Sequence, residues 1–105
     1  SGGENIYPSE VENILDKDKA VKDLAIVGCK NRKWGEIVCA FVVLHDGMKL
    51  TEQNLIIWAK KRLAAYKCPK KVFFIHDNEM PRNSTGKTLH KDLRNKANSL
   101  MKDIL

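Results

Sequence analysis

No stretch of this chain stays apolar over the roughly 18–20 residues a membrane helix needs, so a transmembrane reading is excluded. Cysteine is scarce. Cys29, Cys39 and Cys68 are odd in number, widely spaced and form no CxxC, and they read as reduced, mostly packed thiols of a cytosolic protein. The histidines, His45, His76 and His90, lack metal-ligand spacing, and no metal site is expected. The opening residues Ser1-Gly2-Gly3-Glu4-Asn5 lack the basic and apolar regions of a signal peptide. Acidic residues are outnumbered, 13 against 19 basic ones, giving a formal net charge of +6. Such a surface favours anionic partners: nucleic acid, anionic lipid or a phosphorylated small molecule.

What remains is enough for one domain. The chain has 105 residues, 43% hydrophobic and 30% charged, the balance of a soluble globular fold with one sizeable core. Pro8 suits the first turn of a helix, and Glu10 and Glu12 complement its positive end. Val11, Ile14 and Leu15 then share one face of a short helix ending near Lys17–Lys19. Two β-rich runs follow, Lys22 to Cys29 and Glu36 to Leu44, joined by the polar link Asn31 to Gly35, which is short enough for antiparallel pairing. The second run is apolar on both faces, as in a strand at the middle of a sheet. Thr51 is a good N-cap for a second helix carrying Leu55, Ile56, Ala59, Leu63 and Tyr66 and stopping before Pro69. Lys71 to His76 reads as a third strand and Asp77 to Thr85 as a polar loop. Leu89, Leu93, Ala97, Leu100 and Ile104 mark a final helix. The order α-β-β-α-β-α predicts an α+β fold: a small, mainly antiparallel three-stranded sheet with helices covering one face.

The stretch richest in chemistry is Met80-Pro81-Arg82-Asn83-Ser84-Thr85-Gly86-Lys87-Thr88. Gly86-Lys87-Thr88 resembles the end of a P-loop. The glycine that motif needs five residues before its second Gly is replaced by Pro81, so no phosphate cradle is encoded. A rigid Pro, small hydrogen-bonding residues, a permissive Gly and a Lys ahead of a helix do suit presentation of one ammonium to an anion. Together with Gly2-Gly3-Glu4-Asn5-Ile6, Pro8-Ser9-Glu10-Val11-Glu12, Gly35-Glu36 and Tyr66-Lys67-Cys68-Pro69, in that order, the chain resembles the C-terminal domain of the adenylate-forming enzymes. Tyr66-Lys67-x-Pro69 and Gly2-Gly3 look most like the acyl-CoA synthetase branch.

The resemblance implies that residues 1–105 form the mobile C-terminal lid of a roughly four-to-fivefold longer AMP-forming ligase, inactive without its own large N-terminal domain. That domain would hold the nucleotide loop and the acyl pocket. A carboxylic acid, such as a fatty acid, attacks the α-phosphate of ATP, with Mg2+ bound beside the nucleotide on the large domain. CoA then takes the acyl group and AMP leaves. Lys87 matches the family's adenylation lysine, with Gly86 beside it on the ATP and AMP side. Gly2, Gly3, Glu4 and Asn5 match the loop lining the pantetheine passage, and Lys67 is a candidate cation for CoA phosphate. Relatives often carry an arginine just before the Gly-Glu pair, where it contacts the CoA nucleotide. Here Trp34 stands in that place after Arg32 and Lys33, so a neighbouring cation or stacking on adenine takes over, or the acceptor is a carrier-protein phosphopantetheine. Trp34 and Trp58 otherwise read as packing residues. A small basic nucleic-acid module is the distant alternative. No RRM-like, KH or zinc-finger pattern supports it, and no nucleic acid is expected as a partner.

Overall fold

The computed structural model describes residues 6–104. The first helix, α1 (Pro8–Leu15), has Pro at its start and Glu10 in its first turn, and buries Val11 and Leu15. It ends before the expected Lys17–Lys19, because Asp18 Oδ1 accepts the Ala20 N–H at 2.9 Å and turns the chain into the sheet. Strands β1 (Val21–Asn31) and β2 (Gly35–Leu44) pair antiparallel, from Val21 opposite Leu44 to Asn31 opposite Gly35, with a register irregularity between Val21 and Asp23. Asn31 Oδ1 ties the connecting turn by accepting the Lys33 and Trp34 N–H groups at 2.9 and 3.0 Å, and Gly35 closes it at φ 80°.

Helix α2 (Glu52–Lys60) starts where expected: Thr51 Oγ1 accepts the Asn54 N–H at 3.0 Å. It stops earlier than its apolar spacing suggests. The Arg62 and Leu63 N–H groups both turn back to the Ala59 carbonyl at 2.9 Å, and Tyr66 falls in a separate 3-10 turn, Ala65–Lys67. Strand β3 (Lys71–Phe74) then pairs with β2 in parallel, Cys39 opposite Lys71 through Val42 opposite Phe74. The sheet is therefore mixed, order β1-β2-β3, with its longer ladder antiparallel. The α2 crossover returns the chain to the end where β2 began, and this fixes the parallel direction. After a 3-10 turn at Asp77–Glu79 comes α3 (His90–Ile104). None of the helices described is long and apolar enough to cross a membrane.

The helices do not share one face, contrary to the expectation. Val11 and Leu15 of α1 and Leu55 and Ala59 of α2 pack with Leu24, Ile26, Val38, Ala40, Val42 and Val72. On the opposite face Leu93, Ala97 and Met101 of α3 pack with Ala25, Val27, Ile37, Cys39, Phe41 and Val43. The reason is β2, whose residues Ile37 to Val43 are all buried: alternate side chains leave two apolar faces, and each needs a cover. Two of the cysteines come together: alternation puts Cys29 and Cys39 on the α3 face of neighbouring strands with Cα atoms 6.5 Å apart, within reach of a bridge. Cys68 is a buried free thiol, and its burial raises its pKa above the usual value.

Candidate functional site

The segment between the last 3-10 turn and α3 is a closed hairpin. The Leu89 N–H donates to the Pro81 carbonyl at 2.9 Å, Arg82 bridges Thr88, and the Asn83 N–H donates to the Lys87 carbonyl at 2.9 Å. At its tip the Gly86 N–H reaches the Asn83 carbonyl at 2.9 Å, with Gly86 at φ 87°, a conformation costly for any residue with a Cβ. Asn83 Oδ1 accepts three bonds: the Thr85 N–H at 3.0 Å, the Thr85 hydroxyl at 2.8 Å and the Lys87 N–H at 3.0 Å. The backbone of Lys87 is thus held to Asn83 on both its N–H and its C=O, while the residue itself is exposed.

Arg82 anchors the base. Its guanidinium bonds Asp23 at 2.6 Å, Asp77 at 2.9 Å and the Asp77 carbonyl at 3.2 Å, and Lys22 stands 3.7 Å from Asp77. The hydrogen bond from Arg82, helped by the charge of Lys22, lowers the Asp77 pKa below the usual carboxylate value. The carboxylates of Asp23 and then Asp77 raise Arg82 in turn. Since the folded pKa of Asp77 lies below its unfolded one, the pairing stabilises the fold at neutral pH and is lost as pH falls through that folded value. Asp77→Asn is therefore expected to lower the thermal midpoint at pH 7, with the deficit beginning to shrink as pH falls below about 4, the ordinary carboxylate range, and vanishing only below the lowered folded value. An equal deficit at pH 7 and pH 3 in thermal melts contradicts this.

The residues expected on the CoA side sit elsewhere. Arg32, Lys33 and Trp34 form the β1–β2 turn, all exposed. Trp34 is not a packing residue: it is 50% exposed, with Lys70 Nζ 4.0 Å and Lys33 Nζ 5.0 Å from its ring centroid. Trp58 does pack against the α1 and α2 core, with Arg62 3.7 Å over its ring. Arg32 lines a hollow of about 630 Å³ with Lys30, Glu36 and Arg94. Lys67 is drawn to α1, where Glu10 accepts its hydrogen bond and raises its pKa above the ordinary lysine value. Gly2, Gly3, Glu4 and Asn5 lie outside the described residues.

Two cationic features thus occupy opposite ends of one sheet. The lysine hairpin is tied to Asp23 near the start of β1, and the basic turn follows Asn31 at its end. Eight residues of strand separate them, about 26 Å at roughly 3.3 Å per residue. Lys70 was not foreseen: it reaches Trp34 only because β3 runs parallel to β2, with the Lys70 N–H on the Val38 carbonyl at 2.9 Å. The sequence names Arg82 within the Met80–Thr88 stretch without assigning it a partner, and gives Glu12 only the role of complementing the helix start. Glu12 does more. Its Oε2 accepts the Ile26 N–H at 2.8 Å and lies 2.7 Å from His90 Nε2, tying α1, β1 and the start of α3 together beside a groove of about 560 Å³.

The α+β domain thus presents one exposed lysine on a hairpin whose backbone is locked and, at the other end of the sheet, a basic aromatic turn. Residues 10–87 match the AMP-binding enzyme C-terminal domain, and the chain belongs to that family. It is 45% identical over 94 residues to the long-chain-fatty-acid–CoA ligase FadD13 of Mycobacterium tuberculosis, a match covering 90% of this chain and 18% of the relative. It is 42% identical to the 2-succinylbenzoate–CoA ligase of Bacillus cytotoxicus, covering 90% of this chain and 19% of that protein. The crystal structure of ATP-bound MatB from Rhodopseudomonas palustris superposes with a TM-score of 0.87 at 34% identity, over 94% of this chain and 19% of that one. The chain therefore spans about a fifth of the length of these relatives. The resemblance to the acyl-CoA synthetase branch of the adenylate-forming enzymes holds.

Proposed function

We propose that the chain is the mobile lid of an AMP-forming carboxylate–CoA ligase of the cytoplasm, acting on a fatty acid, with Lys87 as the adenylation lysine. The observation that carries this reading is the single exposed lysine locked on the Asn83 hairpin, at the opposite end of the sheet from the basic turn. Adenylation brings two anions together, a carboxylate and the α-phosphate of ATP, and negative charge gathers around phosphorus. An ammonium held in a water-poor cleft offsets that repulsion without reorganising as the reaction proceeds. The second step uses a different anion, CoA, and a different end of the domain. Rotation of the lid against its large N-terminal domain would withdraw Lys87 and bring Arg32, Lys33, Trp34 and Lys70 to the CoA nucleotide, with Lys67 nearby for a phosphate and Gly2 to Asn5 along the pantetheine passage. An indole flanked by two ammonium groups suits an adenine ring and its phosphates. Alone, the domain is expected to be inactive. Mg2+ is expected beside the nucleotide on the large domain; among the described residues no three His, Cys, Asp or Glu side chains gather into a cluster, and no step here runs through the metal.

The fatty acid assignment rests on the 45% identity to FadD13, and the acyl pocket belongs to the large domain. The test is product analysis of the full-length enzyme given ATP, a panel of fatty and aromatic carboxylic acids, and CoA. AMP, pyrophosphate and a fatty acyl-CoA are expected, whereas ADP and phosphate would overturn the reading. Trp34, in place of the arginine common in CoA-using relatives, favours a second reading with a carrier-protein phosphopantetheine as acceptor. Turnover with free CoA alone, and none with a holo carrier protein, counts against it.

A further inference from the structure

We infer that Asn83 is a positioning residue for adenylation: its side-chain amide oxygen sets the direction in which Lys87 leaves the hairpin. This rests on the reading of Lys87 given above and goes beyond it. Lysine is a point charge on a flexible four-carbon stem, so nothing in the side chain fixes where its ammonium goes. Only its backbone is held here, and the holding residue is Asn83. The Asn83 N–H donates to the Lys87 carbonyl and Asn83 Oδ1 accepts the Lys87 N–H, so one residue grips both polar groups of the Lys87 backbone. The same oxygen takes the Thr85 N–H and hydroxyl, which locks the tip from inside. Removing that oxygen leaves three donors at the tip without their partner and returns them to water, so the tip samples other turns.

The base would stay put. Arg82 is fixed by Asp23 and Asp77, the Leu89 N–H holds the Pro81 carbonyl, and Met80 is buried against the α3 face. The loss is therefore confined to the few residues ending in Lys87. A misplacement of about 1 Å in a group that acts on the transition state can cost on the order of 100-fold, and substrate binding need not change. Asn83 touches no reacting atom; it acts through Lys87 alone.

The experiment uses the full-length ligase and four forms: the parent, Asn83→Ala, Asn83→Asp and Lys87→Ala, plus the double variant Asn83→Ala/Lys87→Ala. Adenylation is followed by carboxylate-dependent ATP–pyrophosphate exchange, and thiolation with supplied acyl-adenylate and CoA. Asn83→Ala is expected to lower kcat for adenylation about 10- to 100-fold. KM for the acid, the thiolation rate and the melting temperature should be unchanged. Asn83→Asp keeps an acceptor oxygen in place and should restore most of the rate. In the Lys87→Ala background, removing Asn83 should cost nothing further, because two residues acting through one group are not additive. Adenylation within twofold of the parent in Asn83→Ala overturns the inference. So does an equal loss in both half-reactions, or a full additional loss in the double variant. Parent-level adenylation by Lys87→Ala overturns the functional reading itself, and this inference with it.

Discussion

In the full-length enzyme, Lys87→Ala is expected to slow adenylation by about 10²–10³-fold, equivalent to about 2.7–4 kcal/mol of lost transition-state stabilisation. Thiolation of a supplied acyl-adenylate should stay near the parent rate. The asymmetry follows from geometry. The hairpin is tied to one end of β1 through Arg82 and Asp23, and the basic turn lies beyond the other end at Asn31. One rigid domain cannot bring both ends to a single reacting centre at once, so on the proposed reading a group serving the first step would be absent from the second. The magnitude follows from the charge. On the proposed reading the carboxylate and the phosphate repel each other most as the new bond forms, and Lys87 is the basic group that the hairpin tip would bring to them. Lys87→Arg should recover only part of the rate, because a planar guanidinium does not place its charge where a compact ammonium does. The check is the pair of half-reactions on one preparation; losses of similar size in both would mean Lys87 supports the fold or the rotation rather than the phosphate.

Much of this arrangement was legible residue by residue, and the failures have physical causes. The spacing Pro81-x-x-x-x-Gly86-Lys87 pointed to a presented lysine because a hairpin tip is local: Asn, Gly and Pro write their own turn chemistry within a few residues. Thr51 announced the start of α2 for the same reason, and the unbroken apolar run from Ile37 to Leu44 announced a strand buried on both sides. The direction of β3 is not local. Lys71–Phe74 reads the same in either orientation, and the α2 crossover decides it. Everything that depends on that register stayed hidden, including Lys70 over the Trp34 ring. The two-sided covering of the sheet was within reach. A central strand with two apolar faces requires helices on both, and that consequence of β2 outranks the preference for a one-sided layer. Charge pairs between distant segments were illegible for a different reason. Lys67 meets Glu10 and Arg82 meets Asp23 only after three helices and a sheet are assembled, so no spacing along the chain encodes them.

Phe41→Ala is expected to destabilise the 105-residue chain by about 3–5 kcal/mol, the range for truncating a fully buried aromatic ring. A domain of this size has a total stability of about 5–15 kcal/mol, so the variant stands close to unfolding. Phe41 has no exposed surface and sits at the centre of β2, opposite Ala25 on one side and Phe73 on the other. Its ring stacks on that of Phe73 with centroids 5.1 Å apart, adding a specific contact to the buried area. The void cannot close cheaply, because hydrogen-bonded strands on both flanks hold β2 in place and small Ala25 offers nothing to fill it. Phe74, the next residue along β3, is 40% exposed, and Phe74→Ala should cost only about 1 kcal/mol. Urea unfolding of the two variants beside the parent measures the difference, and equal midpoints for both would mean the α3 face is not the structural centre described. The comparison bears on function as well as stability. Phe41 shares its cluster with Leu93 and Ala97 of α3 and with Met80 just before the hairpin, so the layer it fills is the floor on which the Lys87 loop is mounted.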